Sequence, residues 1–180
     1  WIAPGFILMA ALGARGGEAL RIGYTAGLAH YLASLYWLLF IPFPIGAAAG
    51  WLALSAYLAI YPAVWVWICW RLFPVPFDSA PGAGPPRRLI EQFRAATFWQ
   101  RTLWTFLCAA AWVALEMIVA RLLTGFPWNL LGASQYRILP LIQIAAVTGV
   151  YGISFLIVWF SISLAGFVLG AVLKPMSAKL

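Results

Sequence analysis

Few side chains in this sequence can carry charge or act as a nucleophile, and their spacing decides which chemistry stays open. The acids are Glu18, Asp78, Glu91 and Glu116. They are scattered, so no pair of carboxylates is set up for general acid and base work. Cys69 and Cys108 lie inside apolar runs without a CxxC spacing or a neighbouring histidine. They read as small buried hydrophobes rather than a disulfide, a metal site or a nucleophile. His30, the one histidine, has no second ligand at helical spacing and reads as a satisfied core histidine. With no metal-ligand set and no glycine-rich phosphate loop, the sequence predicts no cofactor, no metal and no complete catalytic apparatus.

Glu116 stands apart by position. It falls about two turns before Leu123, roughly 10 Å from the end of an apolar run. A carboxylate at that depth is costly unless paired or facing a cavity, which makes it a functional candidate. The competing reading is a carboxylate that hydrogen-bonds a neighbouring helix and locks a bundle. Arg121 is five residues on, about 140° round the helix, so the two do not share a face. It reads as an arginine snorkelling to phosphate headgroups. Beyond it lies Thr124 to Arg137, TGFPWNLLGASQYR, between two long apolar runs. Gly125 and Pro127 forbid a continuous helix there. Trp128, Asn129, Ser134, Gln135 and Tyr136 then form either an aromatic belt with a polar cap or a platform for lipid headgroups and acyl chains.

The elements that must position these residues follow from composition. Of 180 residues, 65% are hydrophobic and 8% charged, against about 25% charged in a soluble domain. Such a chain cannot cover a water-facing surface, so a membrane protein is predicted. A crossing needs about 20 apolar residues for a ~30 Å hydrocarbon core, which allows roughly five crossings. The net charge of +7 marks cytoplasmic loops and does not point to nucleic acid.

In chain order the predicted fold is an all-α polytopic bundle forming one transmembrane domain over 1–180. Its hydrophobic segments are about 1–14 (partial), 23–41, 47–70, 102–123 and 138–173. The polar, proline-rich loop after Arg71 leads into a short amphipathic surface helix over about 88–101. The last segment is too long for one ordinary crossing and is either one tilted helix or a helix broken near Gly149 to Gly152. Because the chain opens on Trp1 and its first apolar run is short, a fragment with its true N-terminus upstream is expected. Nine of the Lys and Arg fall in one set of alternating loops and two, Arg121 and Arg137, in the other. The positive-inside rule puts the GFPW loop on the outer, periplasmic face.

Glu116 followed by Leu123-Thr124-Gly125-Phe126-Pro127-Trp128, then Gly132, Ser134-Gln135, Pro140, Gly149-Val150 and Ile153-Ser154-Phe155-Leu156, resembles the membrane domain of bacterial apolipoprotein N-acyltransferase. Gly27 with Tyr36-Trp37 fits the same family. The resemblance runs through most of the chain, and its specificity rests on the GFPW…G.SQ passage. It implies an inner-membrane enzyme that moves an acyl chain from a phospholipid donor to the α-amine of a diacylglyceryl-cysteine on a lipoprotein acceptor. In the family this passes through a thioester on a cysteine, working with a glutamate and a lysine in a periplasmic nitrilase-like domain. That domain of the full-length protein is the implied partner. Only seven residues follow Leu173, and neither Cys69 nor Cys108 matches the nucleophile, so no catalytic residue is carried over. Glu116, Arg121, Gly125, Phe126, Pro127, Trp128 and Gln135 are the expected lipid and substrate platform. Two positions depart from the family pattern: Val119 stands where an arginine is frequent, and Ala133 replaces an aromatic. The rival readings are a stand-alone lipid-binding or assembly module and a transporter-like bundle with Glu116 and His30 along a path. The second predicts inverted repeats and polar faces that the sequence does not have.

Overall fold

The computed structural model describes residues 2–12, 14–73, 93 and 95–172. Among these the chain is all-helical, as its composition predicts. The helices are α1 (Ala3–Leu12), α2 (Gly16–Ser34), α3 (Pro44–Leu58), α4 (Ile60–Arg71), α5 (Phe98–Val119), α6 (Leu139–Ile142) and α7 (Ala145–Val172). Short 3-10 turns at Tyr36–Phe40, Leu122–Thr124, Pro127–Asn129 and Leu131–Gln135 fill the connections.

Three stretches are long and apolar enough to cross a membrane: Pro44–Arg71, Phe98–Val119 and Ala145–Leu169. The remaining two expected segments contain α1, which has 10 residues, and α2. Local chemistry explains where helices start and break. Helix α2 begins at Gly16, earlier than the expected 23, because the Glu18 carboxylate accepts the Arg15 backbone N–H at 2.8 Å and sits favourably in the first turn. It ends at Ser34, and Tyr36 and Trp37 belong to the following 3-10 turn.

The segment expected as one span over 47–70 is two helices meeting at Ala59. Pro62 accounts for the break, since it can donate no hydrogen bond to Leu58 and its ring crowds that carbonyl. Helix α5 starts at Phe98 rather than at 102, held by a capping box in which the Thr97 N–H donates to Gln100 Oε1 at 2.8 Å and the Gln100 N–H to Thr97 Oγ1 at 3.3 Å. Of the surface helix expected over 88–101, residues 88–92 and 94 lie outside the described residues, and its expected end is corrected: Thr97 caps α5, so 98–101 form the first turn of that helix instead. Of the two alternatives for the last segment the structure has the broken one: Gly149, with φ of 66°, interrupts the helical run of α7.

Helix α2 lies along α4, and α7 packs against α5 and α1. The approach of α2 to α4 rests on Gly23, where an added Cβ would stand 2.7 Å from Ala63 Cα, in line with small residues at membrane helix contacts. The core gathers Leu8, Trp65, Val66, Cys69, Trp104, Cys108 and Ile162. Two of its indoles form a reciprocal pair of cross-ties: Trp65 Nε1–H donates to the Cys108 carbonyl at 2.8 Å, and Trp104 Nε1–H to the Cys69 carbonyl at 2.9 Å. Burying an indole in an apolar core without such a partner would be costly.

Candidate functional site

The site lies where α5 runs out. The α5 backbone closes at Ala120, whose N–H donates to the Glu116 carbonyl at 2.9 Å. The chain then reverses through Leu123 at φ 51° and Gly125 at φ 83°. At Gly125 a Cβ would overlap the Ala120 carbonyl oxygen. Only glycine takes that backbone freely. The reversal carries the Phe126 N–H back onto the Val119 carbonyl at 2.9 Å.

Glu116 holds the far side of this loop. Its side chain is 9% exposed. Oε1 accepts the Trp112 indole N–H at 2.9 Å and the Leu131 backbone N–H at 2.8 Å. The carboxylate ties the loop to α5 rather than bonding a neighbouring helix, and among the described residues its other oxygen, Oε2, is buried without a partner. Two further ties fix the same loop. Asn129 Nδ2–H donates to Ser34 Oγ at 2.9 Å, and the Gly132 N–H donates to Ser154 Oγ at 2.8 Å.

Glu116 lines a cavity of about 40 Å³ together with Tyr31, Tyr61, Trp65, Phe126 and Asn129. A larger cavity of about 330 Å³ extends toward α1 and α2, past Pro4, Ile7, His30 and Ser134. The two share Tyr31, Pro62, Trp65, Trp112, Asn129 and Leu130 as walls. Trp65 and Trp112 meet edge to face, centroids 4.9 Å apart. The larger volume falls at the low end of the ~300–1,000 Å³ typical of ligand sites.

On the outside of the loop the aromatic rings form a shelf. Phe126 and Trp128 stack with centroids 6.0 Å apart, and Trp128 stacks on Trp37, also at 6.0 Å. Trp128 is 70% exposed. Pro127 opens the 3-10 turn that presents it. Arg121 is exposed and donates from its guanidinium to the Met117 carbonyl at 3.1 Å. Gln135 donates through Nε2 to Ser134 Oγ at 2.8 Å. The structure thus gathers Glu116, Phe126 and Asn129 around one cavity and stacks Phe126, Trp128 and Trp37 beside it.

His30 departs from expectation. It is exposed on α2, edge-on to Tyr31 at 5.1 Å between centroids, and lines the larger cavity. It is not a core histidine, because its face of α2 looks into the gap beneath the loop. Cys69 and Cys108 are free, buried and in the core. Sequence reasoning passed over Trp112, Tyr31, Ser34 and the role of Ser154. Trp112 had a signal, four residues before Glu116 and so on the same helical face. The others come from helices distant in sequence and had none.

Residues 1–163 match the family described as the apolipoprotein N-acyltransferase N-terminal domain. The chain is 37% identical over 185 residues to the apolipoprotein N-acyltransferase of Geobacter metallireducens, covering 99% of this chain and 30% of that protein. It is 35% identical over 159 residues to the enzyme of the same name from Bordetella bronchiseptica, covering 83% of this chain and 26% of that protein. For the Nitrosomonas europaea protein, again so named, identity is 32% over 147 residues, with 78% and 25% covered. The chain spans under a third of the length of these curated relatives. No solved structure matches it.

Proposed function

The chain belongs to the apolipoprotein N-acyltransferase family, within its N-terminal domain, and from that premise we propose that it binds and orients the lipid substrates of acyl transfer. It is a membrane protein, by its family and its three apolar helices. In the proposed role a phospholipid supplies the acyl chain, and the N-terminal amine of a lipid-modified lipoprotein receives it. The reacting groups belong to a nitrilase-like domain of the full-length protein, and the helices described here hold both lipids at the membrane surface. The charge asymmetry of the loops supports an inner-membrane location with the GFPW loop outward.

The observation that carries this reading is the aromatic shelf of Phe126, Trp128 and Trp37, held at the end of the bundle by the Glu116 carboxylate. Lipid substrates arrive along the bilayer by their hydrocarbon ends. A shelf at the depth where headgroup meets acyl chain converts that arrival into a fixed orientation. Orientation of two reactants lowers a barrier by up to roughly 7–11 kcal/mol in favourable cases. The platform residues proposed for it are Glu116, Arg121, Gly125, Phe126, Pro127, Trp128 and Gln135.

Trp128→Ala in the full-length protein tests the reading. An exposed stacking ring is worth about 0.5–1.5 kcal/mol beyond its area, so turnover of phospholipid and lipopeptide should fall roughly two- to tenfold at unchanged protein level. Wild-type turnover in the variant would overturn the platform.

A further inference from the structure

We propose that the small cavity at Glu116 is a primary-ammonium site, receiving the amine of a lipid substrate; this rests on the lipid-orienting reading above and names what that site recognises.

The argument begins with the two oxygens of one carboxylate. Oε1 is satisfied twice, by Trp112 and Leu131. Oε2 is buried and, among the described residues, has no donor. Among the described residues no basic side chain pairs with Glu116. The nearest arginine in sequence, Arg121, is bonded to the Met117 carbonyl. A negative charge within an apolar bundle calls for a counter-charge, since desolvation without one is costly.

The cavity limits what that counter-charge can be. At about 40 Å³ it exceeds the roughly 10–15 Å³ that one water needs, and it is too small for an acyl chain. Hard divalent cations want about six or more oxygen ligands, whereas the walls here are chiefly aromatic and aliphatic. A primary ammonium suits both features. It offers N–H donors to Oε2, and its charge is received by the rings of Trp65, Trp112 and Phe126 in the same wall. A quaternary ammonium has no N–H to give. The adjoining 330 Å³ cavity, walled by Ile7, Pro62 and Leu131 among others, shares walls with the small one and leaves room for the atoms that carry that amine. Two lipids carry such a group: a phospholipid with an ethanolamine head, and a lipid-modified polypeptide with a free α-amine.

The test is lipid binding to the purified full-length protein, read by native mass spectrometry. Phosphatidylethanolamine is compared with phosphatidylcholine of identical chains, and a diacylglyceryl lipopeptide with its N-acetylated form. Wild-type protein should hold one free-amine member about tenfold or more tightly than its blocked counterpart. Preference within the phospholipid pair assigns the headgroup, and preference within the lipopeptide pair assigns the α-amine. Glu116→Gln should abolish that preference, because the amide keeps an oxygen for Trp112 and Leu131 but places an NH2 where Oε2 stood. If that variant does not fold, Glu116→Asp serves, since it retracts the charge by one methylene and should weaken the preference. Equal binding within both pairs, or a preference that survives substitution unchanged, overturns the proposal. Amine-selective binding without acyl transfer would leave this site standing and sink the acyltransferase reading. Acyl transfer with no amine selectivity at Glu116 would do the reverse.

Discussion

Gly125 and Gly149 make a matched pair from which the energetics of the loop can be read. Both have positive φ, 83° and 66°, so alanine at either meets a backbone strain of about 1–3 kcal/mol. They differ in surroundings. A Cβ at Gly149 meets nothing within 4 Å, whereas one at Gly125 overlaps the Ala120 carbonyl oxygen. Relieving that overlap means moving the chain that bonds Phe126 to Val119, a displacement of the overpacking kind that costs about 1–3 kcal/mol. Gly149→Ala is therefore expected to destabilise by about 1–3 kcal/mol, and Gly125→Ala by about 2–6 kcal/mol. The assay is thermal unfolding of the full-length protein in detergent, followed by tryptophan fluorescence. Because strain is common to both, the difference between the variants isolates the overlap. Should Gly125→Ala melt no lower than Gly149→Ala, the tight reversal after α5 is not what holds the loop.

Two further substitutions probe packing around the site. Ser154→Ala strands the buried Gly132 N–H, which now donates to Ser154 Oγ, and should cost about 1–3 kcal/mol in the same unfolding assay; no loss of stability would mean the tie is dispensable. Gly23→Ala drives a Cβ to 2.7 Å from Ala63 Cα and should destabilise by about 1–3 kcal/mol. Gly50→Ala in α3, with nothing within 4 Å, should instead stabilise by up to about 1 kcal/mol, and equal effects at the two positions would refute the close approach of α2 to α4.

How much of this was legible beforehand depends on the range of the interaction concerned. The membrane class follows from composition alone, because too few polar residues exist to face water. The loop after α5 is announced by Gly125 and Pro127, whose restrictions are local. The start of α5 was equally local: Thr97 and Gln100 have the spacing of a capping box, a signal that the apolar run beginning further on obscured. The break at Ala59 could have been read from Pro62. Glu116 was different in kind. Burial depth showed that it needed a partner, but Leu131 is fifteen residues on, across an irregular chain reversal, and no periodicity predicts which N–H arrives there. His30 was misjudged for the same reason. Whether one face of α2 meets a helix or a gap depends on how the GFPW loop folds over it.

The exchanged indole bonds between α4 and α5 bear on how the bundle finds its alignment. The Cys108 carbonyl lies within α5 and the Cys69 carbonyl in the last turn of α4, and each accepts an indole N–H from the other helix. Within hydrocarbon, water is not available to replace a lost partner. Sliding α5 along α4 by one residue would leave the Trp65 and Trp104 donors stranded together. Neighbouring registers are thus separated from the native one by two bonds at once, each worth roughly 0.6–2 kcal/mol between membrane helices. Greasy contacts alone would barely distinguish those registers, so the tryptophans act as a key that lets two apolar helices match in one alignment.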